Sequence, residues 1–231
     1  METVSSISEF ELIRRLQDIL DSHSTQENSL QNILLGIGDD ATVAKIDSKI
    51  EVATTDTLVE GVHFTSESIS MKDLGWKSIA VNFSDIAAMG CSPIYSLVTL
   101  GLNPSQTVAS LENLYKGMAE ISERYGGKVV GGDIVRSDTF FISVTVVGAP
   151  CATPVLRRDK ARSGDVVAVT GHLGCSAAGL RIITKNLSLP DNVKEHFANS
   201  HSRPIPQIHI GAALAVQGIE CAMDVSDGLL N

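Results

Sequence analysis

The run VNFSDIAAMG, residues 81–90, carries one aspartate, Asp85, in an otherwise apolar stretch. It continues a segment that opens with the helix-start signals Ser70 and Asp73 and meets stop signals at Gly90 and Pro93. Burying an unpaired carboxylate is costly, so any fold that packs this helix must bring a partner to Asp85. The rest of the chain offers residues of the same kind. Asp39 in GIGDDATV, Asp56 in TTDTLVEGVHF, Asp133 in VGGDIVRS and Asp227 in MDVSDGLL each stand beside Gly, Ser or Thr at an expected strand end or turn, and Asp224 shares the last motif. Short side chains with small neighbours let backbone and phosphate approach closely. Hard cations such as Mg2+ take oxygen ligands, usually one or two carboxylates per ion with water and phosphate completing the shell. Singly, each motif reads more readily as a turn or a helix N-cap. Together they point to aspartates gathered around metal ions that carry a nucleotide.

Bulk properties narrow the classes. A chain of 231 residues with 43% hydrophobic content can build one large domain or two small ones. A formal charge of -9 argues against a broad electrostatic grip on nucleic acid, so a bound polyphosphate must be met by cations. The N-terminus has no leader pattern and no apolar run is long enough to span a membrane, which gives the expectation of a soluble, cytoplasmic protein. Cys91, Cys151, Cys175 and Cys221 are dispersed and read as reduced thiols rather than a zinc or redox site. His196 and His201 stand without carboxylate or cysteine company. Neither GxxxxGK[ST] nor GxGxxG occurs, and the turns GGD and TGHLGCSAAG resemble phosphate cradles only generically. Arg158, in LRRDKARSGD, reads either as a partner for a phosphate or nucleobase edge or as a solvated surface charge.

Periodicity sets the expected elements. An amphipathic helix follows Ser8, with Phe10, Ile13, Leu16 and Leu20 on one face, and short strands surround Val43 and Val52. The second strand delivers Thr54, Thr55 and Asp56 at its end. A strand at 95–102, a helix within 105–127 and strands at 128–133 and 140–148 come next. A Pro, Cys, Ala and Thr-rich stretch near 149–154 suggests a linker, dividing the chain into an N-terminal domain, 1–149, and a second α/β domain, 150–231. The second part reads as strand 165–171, helix 175–184, a polar helix near 192–200, helix 206–218 and strand 221–228. Because the sequence stops at LLN, where another helix is due, this domain is expected to be incomplete.

GIGDDATV, TTDTLVEGVHF, KSIAVNFSDIAAMGCSP, VGGDIVRS, SGDVVAVTGHLGCSAAGL, HSRPIPQIHIGAAL and AMDVSDGLL, in this order, closely resemble the thiamine-monophosphate kinases. TDTLVEGVHF is the most specific string. The wider aminoimidazole ribonucleotide synthetase-like superfamily shares the fold and the aspartates but not that string. The resemblance implies a two-domain α/β (α+β) fold, a homodimer joined through the N-terminal sheets, and Mg2+-dependent transfer from ATP to thiamine monophosphate. It implies Asp39, Thr54, Thr55, Asp56, Asp85, Asp133, Asp224 and Asp227 as metal ligands. Tyr115, Gly132, Asp133, Arg158 and Ser226 match positions at the ATP, and His63 matches a contact to the thiamine phosphate. No general base is needed, since the acceptor phosphate is already ionised. Family members continue beyond the point where this sequence stops, and two substrate contacts belong to that part. Alternative readings are a sister enzyme with another acceptor and an ATP-binding or dimerisation module without catalysis.

Overall fold

The structure, a computed structural model, describes residues 8, 33–35, 39–46, 49–185 and 187–229. The expected first helix, apart from Ser8, and the stretch 36–38 of GIGDDATV lie outside the described residues. Six strands form one sheet: β1 (Ile33–Leu35), β2 (Thr42–Ile46), β3 (Lys49–Val59), β4 (Cys91–Leu102), β5 (Lys128–Arg136) and β6 (Phe141–Pro150), in the spatial order β1-β2-β3-β6-β4-β5. All neighbours are antiparallel except β4 and β5. Parallel neighbours need a crossover, and helix α2 (Val108–Tyr125) supplies it.

Alternation decides which face each strand residue serves. In β6, Ile142, Val144 and Val146 are fully buried while the residues between them are only partly covered. In β3 the same period turns Val52, Thr54 and Leu58 inward and leaves Thr55 and Thr57 exposed. Helix α1 (Met71–Ala88) lies on the buried face. The Ser70 hydroxyl caps it by accepting the Asp73 amide at 3.1 Å, and Gly90, with φ of +69°, takes the left-handed turn that ends it. Ile79, Phe83 and Ile86 enter the core at helical spacing, each 0% exposed. Asp85 sits on the flank of that stripe, toward β3.

Beyond β6 the chain returns to α1. A short 3-10 turn (Arg158–Lys160) precedes α3 (Cys175–Lys185), α4 (Asp191–Ser202) and α5 (Ile208–Val216). Gly211 lets α5 cross α1 at backbone contact, since a Cβ there would stand 2.0 Å from the Ala87 carbonyl oxygen. Arg203, just after α4, stacks over Trp76 at 4.3 Å and pairs with Asp73 at 2.9 Å and Glu120 at 2.8 Å. The Trp76 indole N–H donates to the Pro204 carbonyl at 2.7 Å. The HSRP motif is therefore a clasp that holds this region on α1 and α2.

Two expected strands are absent. Residues 165–171 and 221–228 form no ladder, and Val166 and Val167 are 93% and 80% exposed. An extended apolar run becomes a strand only when a neighbour supplies the other half of its hydrogen bonds, and the described residues supply none.

Candidate active site

Five separate segments, α1 among them, converge at one place. Asp39 and Asp40 precede β2, Thr54 and Asp56 lie on β3, Ser84 and Asp85 on α1, Arg158 in the 3-10 turn, and Asp224 follows α5. One carboxylate oxygen from each of Asp40, Asp85 and Asp224 falls within 4.8 Å of the others, the spacing of a shared cation site. Thr54 Oγ1 donates to Asp85 Oδ2 at 2.6 Å and Ser84 Oγ donates to Asp224 Oδ2 at 3.0 Å, which orients both acids. The partner that the half-buried Asp85 demands is thus a threonine hydroxyl.

Among the described residues, the counter-charge is Arg158. Its guanidinium Nη2 contacts Asp40 Oδ1, and its Nε lies 3.4 Å from Asp39 Oδ1, close enough for charge attraction but without hydrogen-bond alignment. The Arg158 backbone N–H donates to Asp39 Oδ2 at 3.3 Å, while Asp39 Oδ1 accepts the Asp40 amide at 2.9 Å. Asp39 is occupied by the backbone; Asp40 faces the cluster. The Asp40 side chain is only 4% exposed and its Oδ2 has no hydrogen-bond partner. A buried, unpaired oxygen on a carboxylate that clusters with two further carboxylates fits a divalent oxygen-liking cation.

The electrostatics agree. Burial pushes Asp85 up to about 8, with Asp56, Asp224 and Asp40 adding and the Thr54 hydroxyl opposing. Burial, then Asp224, raise Asp40 to about 6 against the pull of Arg158. Asp224 is raised by burial and by Asp227, against Ser84 and Arg158. Asp56 is raised by burial and by Asp224, with His63 opposing. One arginine does not neutralise so many acids, and the surplus negative charge is what a polyphosphate-bound metal would need.

Of the residues singled out in the sequence, the structure brings together Thr54, Asp56, Asp85, Arg158 and Asp224, with Asp39 held behind Arg158 and Asp227 close enough to act on Asp224. Thr55 points to the other face of the sheet, where its hydroxyl donates to the Val144 carbonyl at 3.0 Å. His63 sits exposed in the loop after β3, its Nδ1 accepting the Val59 amide at 3.0 Å, so the neutral ring carries its proton on Nε2. Ser226 is exposed, two residues beyond Asp224 and next to Asp227. Asp133 and Gly132 lie on the edge strand β5. Gly132 shares a register row with Asp56 through Val98 and Val144, three strand spacings or roughly 14 Å away. A Cβ at Gly132, whose φ is +151°, would meet the Val98 carbonyl oxygen at 1.8 Å, so this position tolerates only glycine. Tyr115 lies on α2, 39% exposed. Sequence reasoning missed Asp40 as a cluster member and Ser84 as its supporting hydroxyl. The DD pair itself was the available signal, but nothing local distinguishes which of two adjacent acids turns inward.

Comparison with known proteins gives this arrangement a family. Residues 38–149 match the AIR synthase related protein, N-terminal domain. Thiamine-monophosphate kinase of Bacillus subtilis (strain 168) is 35% identical over 228 residues, covering 96% of this chain and 68% of that protein. The enzyme of the same name from Mycobacterium tuberculosis (strain ATCC 25618 / H37Rv) is 35% identical over 231 residues, covering 99% and 65%. The chain therefore spans about two thirds of the length of such relatives. Among solved structures, thiamine monophosphate kinase from Aquifex aeolicus superposes with a TM-score of 0.83 at 32% identity, covering 99% of this chain and 70% of that one. A structure described as AaThiL complexed with AMPPCP and TMP gives 0.87 at 34% identity, covering 100% and 69%. The hydrogenase maturation protein HypE, at 0.60 and 19% identity, shares the fold alone. With 35% identity over 96% of its length to one such enzyme and a backbone that superposes over its full length on a solved relative, the chain belongs to the thiamine-monophosphate kinase family.

Proposed function

We propose that this protein transfers the γ-phosphoryl group of ATP to thiamine monophosphate, giving ADP and thiamine diphosphate, with Mg2+ held at the aspartate cluster. The observation that carries the metal site is the clustering of one carboxylate oxygen each from Asp40, Asp85 and Asp224, on an Asp40 carboxylate whose buried Oδ2 has no hydrogen-bond partner. An all-oxygen donor set suits Mg2+. When bound, such ions neutralise the triphosphate and the incoming monophosphate and so reduce their repulsion. Asp40, Asp85 and Asp224 are the primary ligands in this reading, with Asp56, Asp227 and Thr54 completing or orienting the shell. Asp39 acts chiefly by anchoring Arg158, and Thr55 contributes through its backbone.

The remaining roles are positional. His63 presents Nε2–H from its loop to the phosphate of thiamine monophosphate. Arg158 and Ser226 meet the nucleotide beside the cluster. Tyr115, Gly132 and Asp133 extend the nucleotide site away from it. A general base has no task, because the attacking oxygen already carries charge.

We further infer a division into an N-terminal unit, 1–149, and a second unit from 150, supported by the change from sheet to separate helices at that point. A homodimer through the sheet is supported by apolar residues left exposed on β4 and β5, among them Leu97 at 41%, Val130 at 65% and Ile134 at 63%. Light scattering returning the mass of a single chain would remove that reading. Four free cysteines suit a reducing, cytoplasmic setting.

The deciding experiment measures thiamine diphosphate formed from thiamine monophosphate, ATP and Mg2+, with Asp40→Asn alongside. Turnover lost by about a thousandfold or more in the variant, with its fold intact, is the expected result. Full activity in Asp40→Asn removes Asp40 from the metal shell. Binding of ATP and Mg2+ without turnover in the unmodified chain removes the transfer reaction.

A further inference from the structure

We propose that Arg158 is an internal counter-ion that competes with the metal, so that Mg2+ binds this cluster weakly until a nucleotide takes the guanidinium away. The inference rests on the reading that Asp40, Asp85 and Asp224 hold Mg2+. Among the described residues, Arg158 is the sole Lys or Arg that forms an ion pair with Asp39, Asp40, Asp85 or Asp224. Its Nη2 occupies Asp40 Oδ1, an oxygen of the very carboxylate whose other oxygen is unpartnered. A monovalent guanidinium and a divalent metal therefore seek the same acid.

Arg158 is built to leave. Its Nε is buried without a hydrogen bond, so the fork is far from saturated where it stands. Its side chain is 34% exposed, against 2% and 4% for Asp39 and Asp40, which leaves it a route to solvent that the acids lack. Its backbone is anchored separately, through the N–H to Asp39 Oδ2 at 3.3 Å, so the guanidinium can swing while the 3-10 turn stays in place. A triphosphate offers pairs of charged non-bridging oxygens that can accept both arms of the fork, which the arrangement around Asp39 and Asp40 does not. Metal binding without nucleotide must push a cation off its carboxylates into water; with nucleotide, the displaced cation has a destination. By reciprocity, each ligand then favours the other.

The test is Mg2+ titration of the nucleotide-free, full chain by calorimetry. Arg158→Gln is expected to bind Mg2+ at least about fivefold more tightly than the unmodified protein, since one competing positive charge beside the site is gone. Arg158→Lys, which keeps the charge, is expected to stay within about twofold. Equal or weaker binding in Arg158→Gln overturns the proposal, as does tightening of the same size in Arg158→Lys. If Arg158→Gln does not fold, 15N NMR of the Arg158 guanidinium in the unmodified chain decides the matter. The Nε–H signal should move to a solvent-like position as Mg2+ saturates, and an unmoved signal at saturation overturns the proposal. Absence of Mg2+ binding in every variant at millimolar metal defeats the metal reading itself, and is thereby distinguishable from failure of the counter-ion idea.

Discussion

Helix α1 carries an arginine-and-acid cluster near each end, and the two are built on opposite principles. Near its start, Asp73 and Glu120 face Arg203 and Lys72, two acids to two bases, at 2.8 to 2.9 Å, with the guanidinium also stacked on Trp76. Hydrogen bonding from Lys72, and then the neighbouring charges, hold the Glu120 carboxyl below its ordinary range. Near its end, Arg158 is, among the described residues, the one Lys or Arg in an ion pair with any of Asp39, Asp40, Asp85 and Asp224, and burial drives Asp85 up to about 8. A balanced cluster ties segments together; an unbalanced one has an unmet need for positive charge. The second condition costs stability and persists where the missing charge arrives with a ligand.

The sharpest way to break the contrast is Asp85→Asn. Catalysis should fall by about a thousandfold or more, while the metal-free protein should melt at a higher temperature, because a half-buried, poorly compensated acid is removed. A lower melting temperature with intact secondary structure would mean that Asp85 is a structural acid like Asp73. Product formation and thermal denaturation of the same sample measure both.

The clasp should behave in the reverse sense. Arg203→Ala removes a guanidinium that is 23% exposed, leaving Asp73 and Glu120 without it and uncovering Trp76, at a stability cost of about 1–3 kcal/mol. Turnover per folded molecule should stay within about threefold. Denaturant unfolding with an activity assay at low denaturant tests this, and a large loss of kcat without a loss of stability would make the clasp part of the catalytic machinery.

A smaller effect sharpens the comparison further. For Asp85 the folded state favours the protonated form, at about 8 against the ordinary 3.8, and Asp40 does so at about 6. Between the unfolded and folded values the native protein holds protons that the unfolded chain has released. Its stability therefore falls as pH rises through that window and is regained toward acid. The metal-free melting temperature should decline from pH 6 to pH 8.5, and this slope should flatten in Asp85→Asn or with saturating Mg2+. A slope that is unchanged in both cases would place its origin outside the cluster.

Much of this was legible in the residues. Ser70, Asp73 and Gly90 mark the ends of α1 because caps and left-handed turns are local chemistry. Asp85 stood out because a charge in an apolar helical run requires a partner wherever the helix is packed. Alternation gave β3 and β6 their faces, although it also places Thr55 away from Thr54 and Asp56, a consequence that the motif TTD alone obscured. The stretches 165–171 and 221–228 carried strand-like composition, yet a strand is a property of two segments and not of one.

By itself, then, the sequence determined the helices seen among the described residues, the central strands, the excess of acid over base and the family to which those motifs belong. Only the tertiary structure decided that Asp40 turns inward while Asp39 is taken by backbone amides, and that Arg158, 118 residues away, answers the DD pair. Only packing selects Ser84 to hold Asp224 and Arg203 to clasp Trp76. The physical reason is range: propensity, capping and periodicity act over a few residues, whereas the compensation of a buried charge depends on which distant segment the fold brings within a few ångströms.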